Sequence, residues 1–294
     1  VDSPDLSLNI SRELLQHDRQ LKLIANNIEK KVKAELERLL KEDREGYEKF
    51  FQNFGRQLKV GCLNNYGAKR ELLQDLLLFY SSTEKKMVTL GEYVDRMKED
   101  QKYIYYASGE NAAAMDNLPQ TELLRERNIE ILYLTDQPDQ LLVEILRQYK
   151  DKEFRSAVDG DLGLEDVPEA KEADQEAQDA FAFIKETLGD EVDEVRASRK
   201  LKTHPVCLTS GEGVSFEMER YFAVAQPEMG LKAKRILEVN TEHPAFAALE
   251  AARTADPEKA KKYARVLLNQ AKLIAGLPID DPSGYTDLLC SLWS

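Results

Sequence analysis

The 294-residue chain reads as an α/β protein, α+β overall, in three stretches. A helical coil comes first, a small αβα sandwich second, and a mixed α/β domain ending in a helical bundle third. Three observations carry that reading. Leu21, Ile24, Ile28, Val32, Leu36 and Leu39 recur in steps of three and four, the period of one helix face. Residues 102–149 alternate short β-prone runs with helical ones, the pattern of parallel strands joined by crossovers. Residues 244–293 hold three helical stretches punctuated by Gly and Pro.

In chain order, one helix is predicted over 12–42, with Ser11 or Asn9 as its N-cap and Glu13 in its first turn. Helices over 44–58 and 67–80 follow, separated by Gly61 and the Asn64-Asn65-Tyr66-Gly67 cluster, and the three make the coil. Thr89 caps a helix reaching Arg96. Then come a strand over 102–107, a helix over 118–127, a strand over 129–134 and a helix over 138–149 with Pro138 near its first turn.

From Asp159 to Glu194, fourteen acidic residues stand against Lys171 and Lys185, with Gly160, Gly163 and Pro168 at the start. Such a stretch repels itself and buries little, so a boundary falls there. The first domain covers 1–157, an acidic linker 158–174, and the second domain 175–294. In the second, helices are expected over 175–188, 216–225, 244–252, 257–275 and 283–293. Its strands are expected over 194–199, 205–209 and 236–239.

Composition narrows the function. A net charge of −13 without a basic stripe argues against nucleic acid as partner. No apolar run approaches the roughly 18 residues of a membrane span, and no signal peptide is visible. Cys62, Cys207 and Cys290 are scattered and odd in number, which fits a reduced, cytoplasmic compartment. The three histidines form no His-Glu-x-x-His, so no metal is expected. Ser108-Gly109-Glu110-Asn111 lacks the spaced glycines and Gly-Lys-Ser/Thr of a phosphate loop and reads as a turn, as does Gly211-Glu212-Gly213. Asp159-Gly160-Asp161 is out of register for a calcium loop. No Gly-x-Ser-x-Gly nucleophile motif occurs.

Arg12 remains. At a helix mouth, its fork of donors can meet an anion, and Gln16 lies four residues on, on the same face. A solvated arginine is the plain alternative.

Residues 1–16 resemble the catalytic-loop signature of the 90-kDa heat-shock protein family. Tyr105-Tyr106-Ala107-Ser108-Gly109-Glu110, Lys152-Glu153-Phe154-Arg155-Ser156, and Leu237-Glu238-Val239-Asn240 with His243-Pro244 resemble further landmarks in the same order. The resemblance spans the chain and implies the end of a middle domain plus a C-terminal dimerisation domain of an ATP-dependent, stress-response chaperone. The opening, without an initiator methionine, then reads as the edge of a longer protein. By the same resemblance, Arg12 and Gln16 assist ATP hydrolysis from outside the nucleotide domain. ATP and Mg belong to the intact protein, with no cofactor in this stretch, and the fragment alone should be inactive.

Two surfaces complete the expectation. Phe216, Met218, Tyr221 and Phe222, with Met229 beyond, form a soft Met-aromatic surface of the kind that adapts to many partners. The resemblance implies that it binds partly folded client proteins; packing of one side into the core is the alternative. Tyr285, Leu288, Leu289, Leu292 and Trp293 make an apolar stripe that needs a partner. Leu267 and Leu268 sit on the preceding helix, which Asp256 caps. Two helices from each of two copies would form a homodimeric four-helix bundle, with packing inside one chain as the alternative. The ending Leu-Trp-Ser differs from the acidic Glu-Glu-Val-Asp tail of eukaryotic cytosolic relatives and favours a bacterial or organellar member. The rival reading is a dimeric scaffold without nucleotide coupling.

Overall fold

The computed structural model describes residues 19–109, 111–158, 161–164, 175–211 and 213–293. Helices α1 (Arg19–Glu42) and α2 (Arg44–Gly67) are joined by Asp43 alone, so they lie as neighbours. The Asp43 carboxylate caps α2 by accepting the Gly46 N–H at 2.9 Å. The predicted punctuation at Asn64-Asn65-Tyr66-Gly67 is where α2 breaks. Asn65 and Tyr66 take φ of 52° and 55°, left-handed conformations that end regular helix.

The helix predicted over 67–80 is not formed as such. A single turn, α3 (Arg70–Leu73), leads through a tight turn at Gln74–Leu76 into strand β1 (Leu78–Ser81). Leu76, Leu77, Leu78 and Phe79 are all buried. A strand covered on both faces shows no alternation, so its apolar run passes for a helix segment.

Strand β2 (Met87–Thr89) returns against β1, and Thr89 caps α4 (Leu90–Arg96) in a reciprocal box with Glu92. Then follow β3 (Tyr103–Ser108), α5 (Ala112–Asp116), α6 (Glu122–Glu126), β4 (Ile131–Leu134), α7 (Asp139–Leu146), β5 (Gln148–Tyr149) and β6 (Lys152–Ser156). The helix expected over 118–127 is shortened by a 3-10 turn at Pro119–Thr121, and the one over 138–149 stops at Leu146. The six strands run in the order β2-β1-β4-β3-β6-β5. The central β4, β3 and β6 are parallel, as the alternation of strands and helices predicted, and both outer pairs are antiparallel.

Side-chain alternation builds two cores from one sheet. Ile104, Tyr106, Leu132 and Leu134 face Tyr47, Phe51 and Cys62 of α2 and Leu142 of α7. Tyr105, Ala107, Ile131 and Tyr133 face Met115, Leu123 and Leu124. That is the predicted αβα sandwich. Its packing runs past residue 157: Leu162 is buried in the second core, and its carbonyl accepts the Tyr105 hydroxyl at 2.7 Å.

The second unit contains α8 (Gln175–Leu188), β7 (Glu194–Ala197), β8 (Val206–Ser210), α9 (Phe216–Ala225), β9 (Arg235–Val239), α10 (Pro244–Ala255), α11 (Pro257–Ile274) and α12 (Pro282–Cys290). Its sheet has the order β7-β9-β8, with β7 parallel and β8 antiparallel to the middle strand. Leu208, Leu237 and Val239 turn one face onto Ile184 of α8 and Leu268 of α11. Ile236 and Glu238 turn the other way.

Candidate functional site

Arg12 and Gln16 lie outside the described residues. The remaining predicted residues fall on α9, α11 and α12 of the second unit, with Leu292 and Trp293 just past the end of α12. Ser215 caps α9, its hydroxyl accepting the Met218 N–H at 3.1 Å. The helix then divides its bulky residues between two environments. Phe216, expected on the client surface, is only 5% exposed and packs in the core with Phe181 and Phe246, so it anchors the helix instead. Tyr221 is 40% exposed, while Met218 and Phe222 are half-buried. Tyr221 and Phe222 meet edge to face with ring centroids 5.4 Å apart. Val224 is 86% exposed and Met229 is also open. The apolar row is therefore Met218, Tyr221, Phe222, Val224 and Met229. Val224 was missed because an isolated valine carries no sequence signal of its own.

Helix α12 starts at Pro282, where the Asp281 carboxylate accepts the Gly284 N–H at 2.9 Å. None of its residues is buried. Tyr285, Leu288, Leu289 and Leu292 are half-buried and Trp293 is 88% exposed; the last two lie past the helix end. Leu267 and Leu268 differ. Both are buried against the sheet of their own chain, because they sit on the inner face of α11. The open apolar face thus belongs to α12, with exposed Leu273 at the end of α11 beside it.

A third region was not anticipated. Glu122, at the start of α6, reaches across to the loop before β8. Its carboxylate accepts the Lys202 N–H at 2.6 Å, the Thr203 N–H at 3.0 Å and the Thr203 hydroxyl, and it meets the His204 ring. Burial alone would raise the Glu122 pKa. The hydrogen bonds from Thr203, Lys202 and His204 overrule it and hold the group down at about 2. Beside it, the buried Gln120 amide donates to Leu208 O at 2.8 Å. These contacts join residues some eighty positions apart, which no local pattern reveals. Next to the seam, a cleft of about 1110 Å³ opens between the two sheets, with Met218 of α9 on its wall.

Among the described residues, no cluster of His, Cys, Asp or Glu could hold a metal ion. No described helix is long and apolar enough to cross a membrane. Gly109 N–H donates to Leu134 O at 3.2 Å and the Asn111 side chain caps the five-residue α5, so Ser108 ends the strand and Asn111 opens the helix.

This two-sheet architecture, an αβα sandwich seamed to a helix-rich α/β unit with open apolar helices, carries the sequence landmarks noted above. Residues 1–293 match the model of the Hsp90 protein family. The chain belongs to that family. It is 54% identical over 293 residues to Chaperone protein HtpG of Clostridium acetobutylicum, covering 99% of this chain and 47% of the relative. The proteins of the same name from Alkaliphilus metalliredigens and Bacillus subtilis are 53% and 50% identical, over 100% and 99% of this chain and 47% of each relative. The chain spans about half the length of the curated relatives it matches.

Proposed function

We propose that this chain is the client-holding and self-associating half of a cytoplasmic, ATP-dependent molecular chaperone. The observation that carries the reading is the exposed apolar pair Tyr221 and Val224 of α9, with exposed Met229 in the turn just after it, in a chain that matches the family from end to end. Isolated exposed apolar residues are ordinary, but soft apolar side chains gathered on one helix and the turn after it suit apolar segments of varied sequence. The relatives' printed name, Chaperone protein HtpG, supports the same function.

In this reading, residues 1–157 are the end of the middle domain, 158–174 the linker and 175–294 the dimerisation domain. Helix α12 pairs with its copy to make a homodimer. Arg12 and Gln16 offer a guanidinium and an amide, a donor set that fits a phosphate oxygen, and would act on ATP held with Mg by another part of the intact protein. The bound nucleotide would supply the energy of the cycle. This chain's share is to place positive charge at the phosphate.

The test is binding of a permanently unfolded, carboxymethylated protein. The double variant Met218→Ser, Tyr221→Ser should weaken binding several-fold with an unchanged circular dichroism spectrum, since the anchoring Phe216 is kept. Unaltered affinity would remove α9 from the client surface.

A further inference from the structure

Among the described residues, the second sheet has an open edge: strand β7 pairs with β9 alone. The direction of its spare hydrogen-bonding groups follows from parity. Flanking β9, Asn240 N–H donates to Pro205 O at 2.8 Å, and Lys234 O accepts the Gly211 N–H at 3.2 Å. Even-numbered residues along that strand therefore face β8, and odd-numbered ones face β7. Consistently, Ser198 N–H meets Val239 O at 2.8 Å. Backbone groups alternate sides along a strand. Glu194 and Arg196 thus turn to β9, while Val195 and Ala197 turn their N–H and C=O to the empty side.

That empty side is the cleft between the sheets. Its lining includes Glu194 and Arg196 from one face of β7 and Val195 and Ala197 from the other. A cleft touches both faces of one strand only by running round its free edge. The opposite wall is Phe154–Ser156 of β6. Set back in the cleft, this edge is shielded from another sheet without being paired.

We propose that an extended segment of a non-native polypeptide adds to the second sheet as a fourth strand along β7, held by the backbone of Val195 and Ala197. The proposal rests on the client-holding reading above and adds a mode of capture to it. Strand addition uses main-chain groups that every sequence has, which suits a partner of no fixed sequence. Continuity favours this occupant: Met218 of α9 lines the same cleft, so a strand on β7 leads to the apolar row. Charge favours it too. Arg199 and Lys234 line the cleft, are exposed, and form no ion pair among the described residues, within a chain of net charge −13. Segments with carboxylates beside an apolar run would bind best.

The test uses the whole chain and a fluorescent peptide of alternating Val and Thr with Glu at both ends. Its companion is the same peptide with interior amides replaced by esters, which keeps the side chains and removes the N–H donors. The amide peptide should bind and slow hydrogen exchange at Val195 and Ala197, and the ester peptide should bind at least roughly tenfold more weakly. Ala197→Pro, which deletes an edge donor but no bond to β9, should weaken the amide peptide similarly. The exchange measurement is made on the unsubstituted chain, so it stands even if that variant misfolds. Equal affinity for both peptides, no peptide binding, or unchanged exchange at both residues overturns strand addition. If the carboxymethylated protein still binds in those cases, the client reading survives alone. Dissociation of a self-associated form by Ala197→Pro would instead assign the edge to a second copy of the chain and likewise overturn the proposal.

Discussion

The carboxylate of Glu122 accepts the backbone N–H of Lys202 at 2.6 Å, a bond between the first turn of α6 and a loop eighty residues later. With Thr203 and His204 it makes one acid the hub of the seam between the two sheet-bearing units. Removing it strands two backbone donors. Glu122→Ala should therefore lower stability by about 2–3 kcal/mol in denaturant unfolding, more than most surface changes. A midpoint like that of the unsubstituted protein would show that the seam adds nothing.

The same group predicts a pH dependence. Its folded pKa, about 2, lies below the ordinary 4.5. A depressed carboxylate contributes stability above its unfolded value and loses it as pH falls through the folded one. The gap between the unsubstituted protein and Glu122→Gln should be full at neutral pH and should shrink between about 4.5 and 2. A gap that is constant across that window counts against the hydrogen-bonded geometry.

A second ionic contact lies within the first unit. Lys59, 2% exposed, stands 2.7 Å from carboxylate oxygens of both Asp139 and Asp136, with the Phe51 and Phe79 rings 5.8 and 5.1 Å away. Burial raises the Asp139 pKa even though Lys59 opposes it. Lys59→Met leaves Asp139 buried without its cation and should cost about 3–5 kcal/mol. Adding Asp139→Leu should restore most of that loss. The sign with pH is opposite to that of Glu122: a raised carboxylate favours the folded state at low pH and loses that contribution as pH rises through its folded value. The deficit of the single variant should narrow on acidification. A double variant as unstable as the single one would mean that packing, not charge, dominates.

Strand β5 meets β6 through a two-residue turn in which Lys150 and Asp151 take φ of 46° and 62°. Two positive φ values are the geometry of a mirror-image turn, which matches strand twist and favours Gly, Asn and Asp, with Gly adopting it at least cost. Asp151→Gly should raise stability by about 0.5 kcal/mol, the relieved strain exceeding the entropy of the freer unfolded chain. A lowered melting temperature would show that the Asp151 side chain contributes more than its backbone costs.

How far the fold could be read in advance depended on element length and on what covers each face. The helix patterns of α8 and α9 were legible because each turns one side to the core and one to water. The stripe of α1 marked the helix but not its burial: Ile28 and Val32 are 42% and 52% exposed, while Leu36 and Leu39 pack against the first core. Strand β1 was not legible, since both faces are covered. Strands β2, β5 and β6 carry no such signal, because two to five residues, three of the five charged in β6, give no period to detect. At the candidate site, Tyr221 and Leu288 lie where helical spacing put them. Phe216, Leu267 and Leu268 do not, because spacing says which side chains share a face but not which face meets its own sheet. The Glu122 seam has no local signature, since its partners are distant in the chain.

The open face of α12 yields the last prediction. A nine-residue helix is marginal alone, and this one adds nothing to the core of its own unit. Its half-buried Tyr285, Leu288, Leu289 and Leu292, with Trp293 almost bare, have yet to find the rest of their cover. Because Leu267 and Leu268 are satisfied within the chain, deletion of residues 282–294 should leave the second unit folded. Sedimentation velocity should then change from dimer to monomer while circular dichroism loses only a short helix. Leu288→Glu in the undeleted chain should shift the same equilibrium without removing the helix, since buried like charges at a two-fold contact face each other. A dimer that persists in both variants would place self-association elsewhere and leave α12 without a role.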